Sequence, residues 1–261
     1  MDRQVPLVQL RGVGKRFDAG PWVLQGLALE VAAGEFVSLI GPSGCGKSTL
    51  LRLVAALSRP TEGEILIEGK APRLGERGTV FLFQEPTLLP WLTVRRNIEI
   101  PLRIRGVGRR QRQALVEAML GTVRLKEAAG KYPRQLSGGM KMRASVARAL
   151  AQAPRLLLMD EPFGALDEMT RHHLNEELLE MRERAGWTAF FVTHSVAEAV
   201  FLSSRILVMA ANPGRIHADL RVDLPYPRTA DTRETDAYLR QVAEVTHVLR
   251  SVEAGGEGGV R

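Results

Sequence analysis

Residues 36 to 50 read FVSLIGPSGCGKSTL, and few folds can hold such a stretch. The apolar run Phe36 to Ile40 has the length of a buried strand. It leads into Gly41, four further residues, and then Gly46-Lys47-Ser48. That is a G-x-x-x-x-G-K-[ST] phosphate-binding loop between a strand and the start of a helix. Glycines let backbone N–H groups turn inward around phosphate oxygens, and the helix directs its positive end at the same anion. Lys47 supplies a mobile charge for the terminal phosphates, and the Ser48 hydroxyl suits Mg²⁺. Gly41, Pro42, Ser43, Gly44, Cys45, Gly46, Lys47, Ser48 and Thr49 are therefore expected to line a nucleotide triphosphate site.

The rest of the chain supplies strands and helices to surround that loop. Leu7 to Val13 reads as an edge strand and Val23 to Val31 as a second one. Ile65 to Gly69, Thr79 to Phe83, Leu156 to Met159, Thr188 to Val192 and Ile206 to Met209 are further short strands. The letters Thr61 to Glu64 read as a turn. Helices are expected over Glu168 to Arg184, with Leu174, Leu178, Met181 and Ala185 on one face, and over Val196 to Leu202. Tyr238, Val242, Val245, Leu249 and Val252 mark a last amphipathic helix. Short apolar strands alternating with helices predict an α/β core whose sheet is mixed but largely parallel, with an antiparallel β edge region.

Residues 85 to 153 differ from the core. Prolines 86, 90 and 101 interrupt the pattern, and Leu115, Met119 and Val123 keep helical spacing. This segment is read as a helical subdomain inserted into one domain spanning 1–253, with 254–261 a Gly-rich disordered tail.

Bulk properties narrow the function. No run approaches the about 18 apolar residues that cross a bilayer, and the N-terminus lacks a signal-type apolar core. A cytoplasmic chain is expected. The single cysteine, Cys45, excludes an internal disulfide. The net charge of +7 fits a phosphorylated ligand. The arginines are scattered, the densest group being Arg103 to Arg112, and no nucleic-acid motif accompanies them, so no nucleic-acid partner is expected. His172 and His173 are helix neighbours facing different ways, a poor metal pair.

Two more stretches carry chemistry. An apolar strand ends in Asp160-Glu161. A carboxylate there can face the phosphate loop and hold Mg²⁺, and the next one can act as general base on a water. Leu136-Ser137-Gly138-Gly139-Met140 opens a helix and is a second anion-binding N-terminus.

With these in view, the chain resembles the ATP-binding subunit of an ABC transporter over nearly its whole length. Gly41 to Ser48 matches Walker A, Gln84 the Q-loop, and Leu136 to Met140 the signature. Leu156 to Glu161 matches Walker B, Ala165-Leu166-Asp167 the D-loop, and His194 the switch histidine. The resemblance implies the P-loop ATPase fold of that family and an ATPase whose cofactors are ATP and Mg²⁺. It implies that Phe17 stacks on adenine and that Gln84 contacts Mg²⁺ and the lytic water. Ser137, Gly138 and Gly139 would bind the γ-phosphate held by a second copy, with Asp167 at the interface between copies. His194 would position the water with Glu161, so Glu161, His194, Gln84 and Lys47 form the catalytic set and Ser48, Gln84 and Asp160 the metal set. The signature departs from the usual pattern at Met140, where many relatives have Gln; the phosphate contact comes from backbone and Ser137, so activity is expected to survive.

The segment QEPTLLPWLTVRRNI (Gln84 to Ile98), MDEPFGALDEMTR (Met159 to Arg171) and THSVAEAVFLSSRILVM (Thr193 to Met209) resemble importer ATPases of the nitrate/sulfonate/taurine group. This implies two identical chains on the cytoplasmic face of the membrane as peripheral subunits. They would dock on permease subunits through Gln84 to Val94 and serve a periplasmic solute-binding protein indirectly. The rival is a soluble ABC ATPase acting on nucleic acid or ribosomes; such relatives usually carry tandem ATPase domains or coiled-coil inserts, and neither is present.

Overall fold

The computed structural model describes residues 6–164 and 166–257. Two long strands, β1 (Val8–Arg16) and β2 (Trp22–Val31), pair antiparallel and are followed by β3 (Phe36–Ile40) and α1 (Lys47–Val54). Next come β4 (Glu62–Ile67), β5 (Thr79–Leu82), and the helices α2 (Val94–Ile104), α3 (Arg109–Thr122) and α4 (Gly138–Leu150). The chain then alternates β6 (Leu156–Asp160), α5 (Glu168–Ala185), β7 (Thr188–Val192), α6 (Val196–Leu202), β8 (Arg205–Ala210) and β9 (Arg215–Arg221), and closes with α7 (Asp236–Glu257).

The strands form two sheets, a three-stranded one in the order β2-β1-β4 and a six-stranded one in the order β5-β6-β7-β3-β8-β9. The larger sheet is parallel except where β9 runs antiparallel to β8. Its inner strands β3, β6 and β7 are buried at every residue, which is why they read as unbroken apolar runs. Successive side chains go to opposite faces. Leu156 and Leu158 pack with Val8, Leu10, Leu27 and Leu50 on one side, while Leu157 and Met159 pack with Leu174, Leu178 and Phe201 on the other. Fully burying a side chain such as Phe191 stabilises the fold by about 1.5–3 kcal/mol. A third apolar cluster is built mainly on α2, α3 and α4 through Val94, Ile98, Val116, Leu120, Ala144 and Ala147, and the connecting residues Leu125, Ala128 and Leu136 join it.

Local chemistry sets the helix ends that matter for the site. Asp167 caps α5 by accepting a hydrogen bond from the Thr170 amide at 2.9 Å, and Gly186 ends that helix with φ 65°. Ser137 caps α4 by accepting from the Met140 amide at 3.3 Å.

Several expectations change. The segment read as a turn at Thr61 to Glu64 is strand from Glu62 on, because it pairs with β1 across a register shift between Arg11 and Gly14. Strand β9 was not anticipated, although Ile216, Ala218 and Leu220 alternate and turn one half-buried face inward. Pro101 lies inside α2 rather than breaking it, leaving the Asn97 carbonyl without its usual partner one turn on. On α3 the buried residues are Val116 and Leu120, with Leu115 and Met119 flanking them. On α5, Ala185 is exposed. Helix α7 runs to Glu257, so the first residues of the expected tail continue the helix; 258–261 lie outside the described residues. Ala165 does too.

Candidate active site

Strand order brings the motifs together. Reading across the sheet from β5 to β6, β7 and β3, the loops leaving the C-terminal ends carry Gln84, then Asp160-Glu161, then Thr193-His194, then the phosphate loop. Adjacent parallel strands necessarily end on one edge, and that edge is where open α/β sheets bind ligands.

The phosphate loop wraps a cavity of about 270 Å³. Ser43, Gly44, Gly46 and Lys47 to Thr49 line one side of it, and Glu161 and His194 the other. Gly46, at the N-cap of α1, has φ 95°, and a Cβ there would stand 2.4 Å from Leu24 Cδ2. Lys47 is buried, its Nζ donating to the carbonyls of Gly41 at 2.8 Å and Pro42 at 3.0 Å. Ser48 Oγ donates to Asp160 Oδ1 at 2.7 Å. Two hard oxygen donors side by side fit Mg²⁺. Among the described residues no group of three or more His, Cys, Asp or Glu could hold a metal ion. Cys45 is fully buried, and burial pushes its thiol pKa up against the opposing pull of Lys47. The side chain acts as a small apolar filler of the loop.

Across the cavity, His194 Nε2 stands 2.7 Å from Glu161 Oε1, and Gln84 Nε2 donates to Glu161 Oε2 at 3.4 Å. Glu161 has φ 47°, a costly conformation for a residue with a Cβ, of the kind that collects at working sites. Its amide donates to the Val192 carbonyl at 3.1 Å, and Phe163 anchors the loop beyond it, packing on Phe191 with ring centroids 5.9 Å apart. A second cavity of about 370 Å³ opens behind Glu161 and His194 and reaches Gln84.

Five expected residues stand apart. Phe17, Ser137, Gly138, Gly139 and Asp167 line neither cavity. Phe17 is half-exposed with Lys15 Nζ 4.9 Å from its ring centre, so it is not a core residue. A Cβ added to Gly138 would meet nothing within 4 Å. Hydrogen bonding at Thr170 holds the Asp167 carboxyl below the usual range, so it stays ionised.

The Gln84 to Val94 segment divides its apolar residues. Leu88 packs into the cluster of α2, α3 and α4, while Trp91 is 68% exposed. The loop is pinned from inside by Asn97, fully buried, whose Nδ2 donates to the carbonyls of Leu89, Leu92 and Thr93 and whose Oδ1 accepts from the Leu89 amide at 2.7 Å.

Sequence reasoning missed one support of the phosphate loop. The turn before β9 places Gly214 against it: an added Cβ would lie 2.2 Å from the Cys45 carbonyl oxygen. Gly214 also exchanges backbone hydrogen bonds with Val23 and Gln25. The alternation of Ile216, Ala218 and Leu220 could have revealed the hairpin, but nothing local points to the contact.

A family model described as "ABC transporter" matches residues 24–164, more than half of the chain. The chain is 42% identical over 252 residues to the aliphatic sulfonates import ATP-binding protein SsuB of Bacillus cereus, which covers 95% of this chain and 97% of that protein. It is 50% identical over 230 residues to the bicarbonate transport ATP-binding protein CmpC of Synechococcus elongatus, covering 87% of this chain and 35% of that longer one. Among solved structures, the dimeric post-hydrolysis state of the ATP-binding cassette MJ0796 bound to ADP and Pi matches with a TM-score of 0.75. Its identity is 32%, over 84% of this chain and 100% of that one.

Proposed function

The chain belongs to the ABC transporter family and carries its ATPase cassette, and from that premise we propose that it is the energy-coupling subunit of an importer for a small anionic solute. The observation that carries the reading is the convergence of four strand ends, with Ser48 on Asp160 and His194 on Glu161 each at 2.7 Å. The relatives named above are described as serving aliphatic sulfonates import and bicarbonate transport, which supports a solute of that class. Nitrate is an anion of similar size, and taurine, though a zwitterion, carries a sulfonate group.

The residues divide the work. Loop amides and Lys47 neutralise the β- and γ-phosphates, and the half-exposed Phe17 offers its face to adenine. Ser48, Asp160 and Gln84 would hold Mg²⁺, which stabilises charge on the phosphate oxygens. Glu161 takes a proton from water as its oxygen attacks the γ-phosphorus and the bond to ADP breaks. His194, bonded to Glu161, fixes the carboxylate and the water. Ser137, Gly138 and Gly139 of a second copy close the site, with Asp167 at the interface.

Trp91 and its neighbours would meet the permease from the cytoplasmic face of the membrane, the solute-binding protein acting only through the permease. Among the described residues no helix is long and apolar enough to cross a membrane.

Glu161→Gln tests the assignment. Hydrolysis is expected to fall on the order of 10²–10³-fold while ATP still binds. Parental turnover in that variant would remove Glu161 as the base.

A further inference from the structure

We propose that Glu198 is a positioning residue for His194, and that through Arg171 it links this histidine to the segment carrying Asp167. The inference rests on the roles given above to His194 and Glu161 and adds the device that holds them.

His194 is itself half-exposed, so burial alone does not fix its ring. What is fixed is the residue on either side. Thr193 is buried, and its hydroxyl donates to Glu198 Oε2 at 2.5 Å. The Thr193 hydroxyl oxygen also accepts from the Ser195 amide at 3.0 Å. Ser195 in turn caps α6, its Oγ accepting from the Glu198 amide at 3.2 Å. The two neighbours of His194 therefore both end on Glu198, one turn into α6. With the flanking backbone held, the imidazole can keep its 2.7 Å contact to Glu161 despite its exposure.

Glu198 is a poor choice for a merely structural residue. It is buried, and a carboxylate costs free energy there unless it is paired. Its second oxygen, Oε1, faces α5, where Asn175 Nδ2 donates at 3.5 Å and Arg171 Nε stands at 3.8 Å. Arg171 also donates from Nη2 to the Leu166 carbonyl at 2.9 Å, in the turn just before Asp167. The chain of contacts runs Leu166, Arg171, Glu198, Thr193, His194, Glu161. All but Leu166 line the cavity of about 370 Å³ behind the site. The Arg171–Glu198 step is longer than a hydrogen bond, and Arg171 Nε and Asn175 Oδ1 are buried without partners. That step is the one with room to shorten when a second copy presses on the Asp167 segment.

The test is a double-mutant cycle on steady-state ATP hydrolysis. Thr193→Val keeps the shape and removes the hydroxyl; Thr193→Ser restores it. Thr193→Val is expected to lower kcat about tenfold with KM for ATP within about twofold, Thr193→Ser to recover most of the loss, and Thr193→Val to add nothing in a His194→Ala background. Glu198→Gln still accepts from Thr193 but loses the charge pair, and is expected to lower the Hill coefficient for ATP toward one. Unchanged kcat in Thr193→Val, or the same fold loss with and without His194, overturns the proposal. Parental activity in His194→Ala would sink the underlying reading as well, and is recognisable because that single variant alone reveals it.

Discussion

The strand ends and the start of α4 both carry phosphate-binding sequence, yet the fold treats them differently. At the strand ends the functional side chains already touch: Ser48 meets Asp160, Glu161 meets His194, and Lys47 is held over the loop carbonyls. At α4, Ser137 uses its hydroxyl to cap its own helix, and Gly138 faces open space. One region is a site assembled by the topology of a single chain. On the function proposed above, the other is half of a contact whose remainder lies on a second copy. The control point would then be the pairing of copies: the strand-end chemistry is preorganised in each, and the arrival of a second one would complete it.

The largest effect that could break this contrast comes from α4. Gly138→Asp places a carboxylate where γ-phosphate of the other copy would sit. Because that Cβ would meet nothing within 4 Å beyond its chain neighbours and its own helix backbone, the fold is expected to persist. Hydrolysis should drop by about 100-fold or more through like-charge repulsion, with single-copy nucleotide binding retained, as read by fluorescent-nucleotide titration. Loss of nucleotide binding by the isolated copy would place the signature inside its own site and erase the comparison.

A smaller effect is expected between the two regions, at Asn97. Asn97→Leu removes four hydrogen bonds that hold residues 89 to 93. The Leu89 and Thr93 carbonyls keep the Leu92 and Asn97 amides as partners, so the loss falls on the Leu92 carbonyl and the Leu89 amide, and denaturant unfolding should lose about 1–3 kcal/mol overall. Trp91 should become more protected or more quenched by acrylamide as the loop relaxes. An unchanged midpoint and unchanged quenching would show that the docking loop does not depend on this pin.

The smallest effect concerns pH. Burial raises the Glu198 pKa above its ordinary value, so the folded chain binds that proton more readily than the unfolded one. Stability linked to this group is therefore present at low pH and is lost as pH rises through the folded value. Glu198→Gln removes that loss. Its melting temperature relative to the parent should be highest near pH 8, and the gap should close as pH falls into the carboxylate range. A gap independent of pH would mean that the charge of Glu198 is fully compensated by its neighbours.

Legibility in the sequence follows the range of the interactions. The phosphate loop is a local pattern, and its strand, turn and helix could be read residue by residue. Buried strands such as β3, β6 and β7 were legible because both faces are covered and four of the five positions in each are apolar. Their order was not, since nothing in Leu156 to Asp160 records that β7 lies beside it. The same limit hid the first half of β4, whose Glu-Gly-Glu letters look like a turn until β1 pairs with them. Glu198 and Gly214 were invisible as site residues for a related reason: each acts on a partner brought near only by the fold. Cys45 shows the reverse case. Its position in the loop suggests a thiol that alkylation would reach, whereas full burial and a raised pKa make it slow to react in the folded chain.

The central claim is that one catalytic site is shared between two copies, and mixing two inactive variants tests it most directly. Glu161→Gln lacks the base but keeps its signature, and Gly138→Asp keeps the base but lacks a usable signature. Each alone should be nearly inactive. A 1:1 mixture should recover activity, up to about a quarter of the parental rate if the copies pair at random in closed dimers. A mixture that stays as inactive as its components, at concentrations where the parent turns over ATP, would contradict the shared site.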